Sequence, residues 1–221
     1  MITLQDIQKN ESIRALVHAG NHYLDALGYT DHGPHHLRYV SRTSAGVLKS
    51  LGYSEREVEL AAIAGWVHDV GNSINRHYHG PNGALLLFPV LKEMGMEIKD
   101  AVEIITAVGN HEEENGTVSS AVSAALVIGD KSDAHKSRVR HNRPDVSDIH
   151  DRVNYAIQEN AVRVDPDSKS IRQTLQMDNT SSVLEYLTIY LPRIIMCEKA
   201  AAFLGQNFEL EINGSPVNNR R

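Results

Sequence analysis

A chain of 221 residues is long enough to bury a full hydrophobic core and to carry a smaller unit beside it. With 23% charged and 41% apolar residues it is not a disordered tail, and its longest apolar stretch, residues 84–91, stops well short of the roughly 20 residues that cross a bilayer. Twenty-two Lys and Arg against 28 Asp and Glu give a net charge of −6, which argues against nonspecific nucleic-acid binding.

Leu4, Ile7, Ile13, Leu16, Val17, Tyr23, Leu24 and Leu27 recur by threes and fours, predicting one helix over 4–27 that Gly28 ends. Asp31 to Pro34 reads as a turn with Pro34 at the first position of a second helix, carried through Leu37, Val40, Val47, Leu48 and Leu51 to Gly52. Ser54-Glu55-Arg56-Glu57 forms a capping box ahead of an apolar run over 58–70. That helix is apolar around most of its circumference, which places it at the centre of a bundle, and Gly71 stops it. Further helices are expected over 83–94 with a kink at Pro89, over 98–108, and from Ser120 to about His135.

From Val153 the period changes. VNYAIQE, AVRVD and SIRQTLQM alternate, and DPDSKS separates the last two as a turn, predicting an antiparallel meander. Residues 181–204 return to helical spacing with a kink at Pro192 and a stop at Gly205, and FELEI (208–212) alternates as a final strand. The expected fold is mainly α: a helical bundle over 1–145 that carries the chemistry, then a small C-terminal α+β unit with an antiparallel sheet over 146–221. The apolar stripe from Val183 to Ile195 either packs that unit's helix on its sheet or forms a homo-oligomer interface. The single cysteine, Cys197, excludes an internal disulfide, and MITLQDIQKNES shows no secretory signal pattern, so a cytoplasmic setting is expected.

All 12 histidines fall between His18 and His150, which marks the first part of the chain as the chemical one. Five segments put a metal-ligand type at or near a helix end: His36, the pair His68-Asp69, His77 and His79, His111, and Asp130. A mixed imidazole and carboxylate set without thiolate favours Mn, Fe or Zn over softer metals. Consecutive helix residues point about 100° apart, so His68 and Asp69 share a metal only at a helix terminus, which Gly71 supplies. A buried Asp in AALVIGD would cost several kcal/mol uncompensated, roughly, which favours a ligand role for Asp130.

The ordered set His36, His68-Asp69-Val70-Gly71 and Asp130, over about residues 31–143, resembles the HD (His-Asp) superfamily of metal-dependent phosphohydrolases with its H…HD…D signature. His79-Gly-Pro-Asn-Gly83 and Asn110-His111-Glu112 with Gly116 are similar to elements of the two-metal, HD-GYP-like subgroup, with Asn110 in place of a histidine and the GYP triplet absent. The resemblance implies a helical bundle in which His36, His68, Asp69 and Asp130 hold one metal. Asp69 would bridge to a second metal held by His79 and His111.

The implied cofactor is one or two divalent metals, Mn or Fe first, with Zn, Mg or Ni as alternatives. The implied activity is hydrolysis of a phosphate mono- or diester, of a nucleotide in the first instance, by a metal-activated water. Candidate catalytic groups are Asp69, Asp133, Glu112 and Lys131; Asp133 or Glu112 would act as general base if one metal is present. Candidate phosphate anchors are Arg38, Arg76, Lys131 and Arg138, with Lys136, Arg140 and Arg143 beside them. His32 and His35 would orient ligands or bind phosphate, and His18, His22, His135, His141 and His150 are expected at the surface. The expected partner is a small phosphorylated substrate, with neither a membrane nor a nucleic acid. Two other classes fit the same ligands: an HD-type di-iron oxygenase, and a non-catalytic metal- or nucleotide-binding sensor.

Overall fold

The computed structural model describes residues 1–140, 144, 145 and 147–218; His141 and Arg143 lie outside the described residues. Helix α1 (Leu4–Lys9) opens at a capping box between Thr3 and Asp6. Asn10 then closes it and opens α2 (Glu11–Ala26), its Oδ1 accepting the Ile13 N–H at 3.0 Å. The one helix expected over 4–27 is therefore two, because a side-chain cap interrupts a hydrophobic period that runs straight through it.

Pro34 opens α3 (Pro34–Ser50), and the Ser54/Glu57 capping box opens α4 (Glu55–Val67). Gly28 and Gly52, both at φ +78°, make the left-handed turns that end the preceding helices. Helix α4 is central as expected, packed between α3, α6 and α7. Gly65 permits the tight α3 crossing: a Cβ there would stand 2.7 Å from the Ser41 Cα. The helix ends at Val67, and a 3₁₀ turn over Val70–Ser73 follows.

Helix α5 (His79–Glu93) starts four residues before the expected Gly83. Gly80 and Pro81 read as loop residues, but the first helical turn leaves its N–H groups without intrahelical partners, so proline costs nothing there. Tyr78, at φ +58°, turns the chain into this helix; a bulky residue in the left-handed region is uncommon, and it aims the His79 ring inward. Then come α6 (Ile98–Gly109) and α7 (Ala121–Lys131), the latter capped by Ser120 and ending four residues short of His135. A second 3₁₀ turn covers Lys136–Arg138.

Helix α8 (Ile149–Ala156) takes in the VNYA that was expected as strand, burying Val153 and Ala156 on one helical face. Strand β1 (Ile157–Asp165) pairs antiparallel with β2 (Ser170–Met177), as expected. Helix α9 (Val183–Phe203) follows, and β3 (Asn207–Ile212) pairs parallel to β2, with a short β4 (Ser215–Pro216) on its far side. The expected antiparallel sheet is thus corrected to a mixed one, in the order β1-β2-β3-β4. The reason is the helix between β2 and β3: a crossover of that length carries the chain back to the starting end, so the next strand runs parallel.

Helix α9 packs on α7 and β3, and its own Tyr186 and Tyr190, one turn apart on its buried face, stack with ring centroids 4.5 Å apart. No helix among the described residues is long and apolar enough to cross a membrane.

Candidate metal centre

His68 is the cap residue of α4 and Asp69 has left the helix (φ −93°, ψ 3°), so their side chains converge instead of diverging by about 100°. The His36 Nε2 stands 3.2 Å from the His68 Nε2, 3.6 Å from Asp69 Oδ2 and 3.5 Å from Asp130 Oδ1. His68 Nε2 lies 3.4 Å from Asp69 Oδ2 and 3.5 Å from Asp130 Oδ1. On the other side, His79 Nε2 is 3.3 Å from Asp69 Oδ1 and 3.0 Å from His111 Nε2. Ligand atoms about 2.1 Å from a shared cation stand about 3.0 Å apart at right angles and about 3.4 Å at the tetrahedral angle, so these separations fit a metal site.

The far nitrogens settle which way the rings present their lone pairs. Nδ1 of His36 faces Asp133 Oδ2 at 2.6 Å, that of His68 faces the Gly65 carbonyl at 3.0 Å, and that of His111 faces the Val108 carbonyl at 2.6 Å. Nδ1 of His79 faces both the Arg76 carbonyl at 3.0 Å and Glu112 Oε1 at 2.9 Å. Such oxygens only accept, so in the neutral rings of His68, His79 and His111 the Nδ1 carries the proton and the Nε2 lone pair turns toward the cluster, while His36 Nδ1 meets both Asp133 and the Arg138 Nη1 donor, the latter at 2.7 Å. Asp69 Oδ2 is buried among them with no hydrogen-bond partner. Converging lone pairs and an orphaned carboxylate oxygen are what a bound cation would satisfy, and His36, His68 and Asp130, or His68, Asp69 and His111, could hold one.

Without metal, protons take the cation's place. Burial opposes charge on His68, but Asp69 and Asp130 outweigh it and raise the imidazole to about 10. His79 is likewise raised against burial, by Asp69 and Glu112. Burial and the neighbouring His79 push His111 down to about 3, and burial with Arg138 lowers His36. A metal must therefore displace the His68 proton but none from His111, and its uptake at neutral pH releases protons. Affinity should rise with pH up to about 10, measurable by calorimetry in buffers of different ionisation enthalpy. The metal-free fold should show the opposite trend. His68 has a raised pKa, so the stability its charge contributes is full below the ordinary value near 6.5 and is lost as pH rises through about 10. Thermal melts in chelator over that window should show the decline.

The remaining expected residues are placed as follows. Asp133 lies behind His36, buried, and also accepts from Arg138 at 2.9 Å. Arg138 reaches on to the His32 Nε2 at 3.1 Å, and so is engaged within the protein. Glu112 supports His79 and takes the Gly80 N–H. Lys131 is buried, with Nζ 2.8 Å from Asp130 Oδ2 and 2.9 Å from Glu113 Oε2, which leaves Asp130 Oδ1 for the histidines. Asn110 bonds back to the Thr106 carbonyl at 3.0 Å. His77, His18, His22 and His150 are exposed; His35 is exposed and faces Ser137, while His135 is half-buried against the Gln158 carbonyl. Arg140 ties the 21–31 segment together, and Lys136 bonds Gln158. Arg38 is exposed on the side of α3 away from the cluster.

Two participants were missed. Glu113 and, from α9, Arg193 (Nε to Glu113 Oε1, 3.2 Å) extend the charge line Asp130–Lys131–Glu113 outward. Glu113 stands beside Glu112 in sequence and was a visible signal, whereas nothing in the α9 sequence marks Arg193. Carboxylates that hold a ligand's outer nitrogen commonly matter about 10–100-fold to metal affinity, so Asp133→Asn should weaken binding by that order in chelator competition.

No protein-family model matches the chain. It is similar to the uncharacterized protein MJ1020 of Methanocaldococcus jannaschii, 25% identical over 158 residues, which cover 61% of this chain and 60% of that protein.

Proposed function

We propose that this protein is a divalent-metal-dependent phosphohydrolase of the HD (His-Asp) type, acting on a phosphate ester of a nucleotide or similar small molecule. The observation that carries the reading is Asp69: one carboxylate oxygen faces His36 and His68, and the other faces His79. That division is the arrangement of a bridging ligand between two histidine pairs. A divalent cation held there would acidify a water to act as nucleophile and neutralise charge developing on phosphoryl oxygens.

The chain's own groups fit the remaining tasks. Arg76 stands half-buried beside His79, its guanidinium 5.7 Å above the Tyr29 ring, and no carboxylate pairs with it among the described residues. Its Nη1 leans on the His79 ring at 3.4 Å, and its Nε and Nη2 donors, unpaired among the described residues, could hold a phosphoryl oxygen. Lys131 balances Asp130 and keeps the cluster from accumulating negative charge that would repel a phosphate.

The test is metal content by mass spectrometry together with two assays on the metal-loaded protein. These are phosphate release from bis(p-nitrophenyl) phosphate and nucleoside monophosphates, and oxygen uptake after iron loading. Metal-dependent release of phosphate or nitrophenol supports the reading. Oxygen uptake without hydrolysis would replace it with the oxygenase alternative, and bound metal with neither activity would replace it with a sensor.

A further inference from the structure

Helix α3 carries His36 on its inner face and a row of cations on the opposite one. At about 100° per residue, Arg38, Arg42 and Lys49 fall roughly 200–240° around the helix from His36. They border a groove of about 640 Å³ between α1, α3 and α4, a size suited to a nucleotide-scale ligand and lined by none of the metal-cluster residues. Its wall on the α4 side is apolar, formed by Ala62 and Trp66, and Ala45 and Gly46 on α3 keep the floor low. A neighbouring groove shares Arg42 and Gly46 and adds Arg163 from β1.

No Asp or Glu among the described residues lines either groove, in a chain whose net charge is −6. Among the described residues the side chains of Arg38, Arg42 and Lys49 form no ion pair or hydrogen bond. Arg38 and Arg42 are four apart on one helix face, where like charges repel, and α3 holds no acidic residue in its first turn to offset them. Their repulsion is relieved by an anion lying between them, and guanidinium pairs are suited to phosphate.

We propose that this groove is a second site, separate from the metal cluster, that binds a nucleoside phosphate: the phosphate on Arg42 and its neighbouring cations, the base against Trp66 and Ala62. It does not depend on the hydrolase reading, because none of its residues belongs to the metal cluster.

Trp66 is the chain's only tryptophan, so its fluorescence reports this groove directly. AMP titrated into the full chain in chelator should quench it saturably. The same quench should persist in His68→Ala, where the metal cluster is broken. Arg42→Ala combined with Lys49→Ala should weaken it by about tenfold or more. Gly46→Leu should abolish it by filling the groove; a Cβ at Gly46 meets nothing within 4 Å, so this variant should fold, as circular dichroism would verify. Absence of a saturable quench, indifference to the Arg42 and Lys49 changes, or loss in His68→Ala would each overturn the proposal. Inorganic phosphate competing as well as AMP binds would overturn the assignment of the apolar wall to a base.

Discussion

Asp69→Ala should empty the metal centre and lower phosphoester hydrolysis by at least about a thousandfold, equivalent to roughly 4 kcal/mol of transition-state stabilisation. Asp69 is the carboxylate that reaches both histidine pairs, at 3.4 and 3.6 Å on one side and 3.3 Å on the other. Lys131 already engages the outer oxygen of Asp130, so no other acid is placed to substitute. The variant should still fold. His68 can shed its proton once the neighbouring charge is gone, and Asn72 Nδ2 keeps the Asp69 backbone carbonyl at 3.0 Å when it loses the side chain. One signature separates this from general damage: the decline of metal-free stability with rising pH, which depends on a raised His68, should flatten in the variant. Retention of metal and rate by Asp69→Ala would end the metal-hydrolase reading.

Gly71→Ala is expected to be the most damaging single methyl in the chain, costing at least about 3 kcal/mol in chemical denaturation. A Cβ there would fall onto the His79 carbonyl oxygen and lie 2.5 Å from the Gly83 nitrogen. Both obstacles are backbone at the start of α5, so no rotamer change relieves them. Moving the start of α5 also moves His79 away from Asp69 Oδ1. The variant should therefore lose metal along with stability. Gly46→Ala is the contrast: in open space within α3, it should gain about 1 kcal/mol from helix propensity. A Gly71→Ala protein that melts like its parent would show that α5 does not approach so closely.

Gly71 illustrates what the sequence does and does not disclose. It reads as the stop of a helix running to residue 70, whereas α4 ends at Val67 and Gly71 lies inside the 3₁₀ turn that follows; its contact with α5 is a tertiary fact with no local trace. The same division runs through the fold. Capping at Ser54, the stops at Gly28, Gly52 and Gly205, and the first-turn Pro34 were legible because each acts on its own neighbours. VNYA was not: four residues with apolar Val153 and Ala156 satisfy a strand's alternation poorly and a helix's period equally briefly, and burial decided for the helix. The parallel β2–β3 pairing was available from the helix between them, and the meander reading passed over it.

At the site, ligand types in order were readable. Their tautomers were not, because those depend on the carbonyls of Gly65, Arg76 and Val108 and on the carboxylate of Asp133, none of which a motif specifies. Arg38 sits only two residues from His36, and that short separation in sequence hid a half-turn around the helix.

Arg193 reaches the outer charges of the candidate metal centre from α9, and α9 also packs on α7, the helix that carries Asp130. A nascent chain emerging from the ribosome displays every imidazole and carboxylate of the cluster once residue 130 is out. Helix α7 can by then meet α3, α4 and α6, but its contact with α9 and the second cation of Glu113 come only with residues 183–203. A chain cut before α9 would therefore carry the whole candidate ligand set beside an α7 with one face uncovered and a Glu113 paired with Lys131 alone.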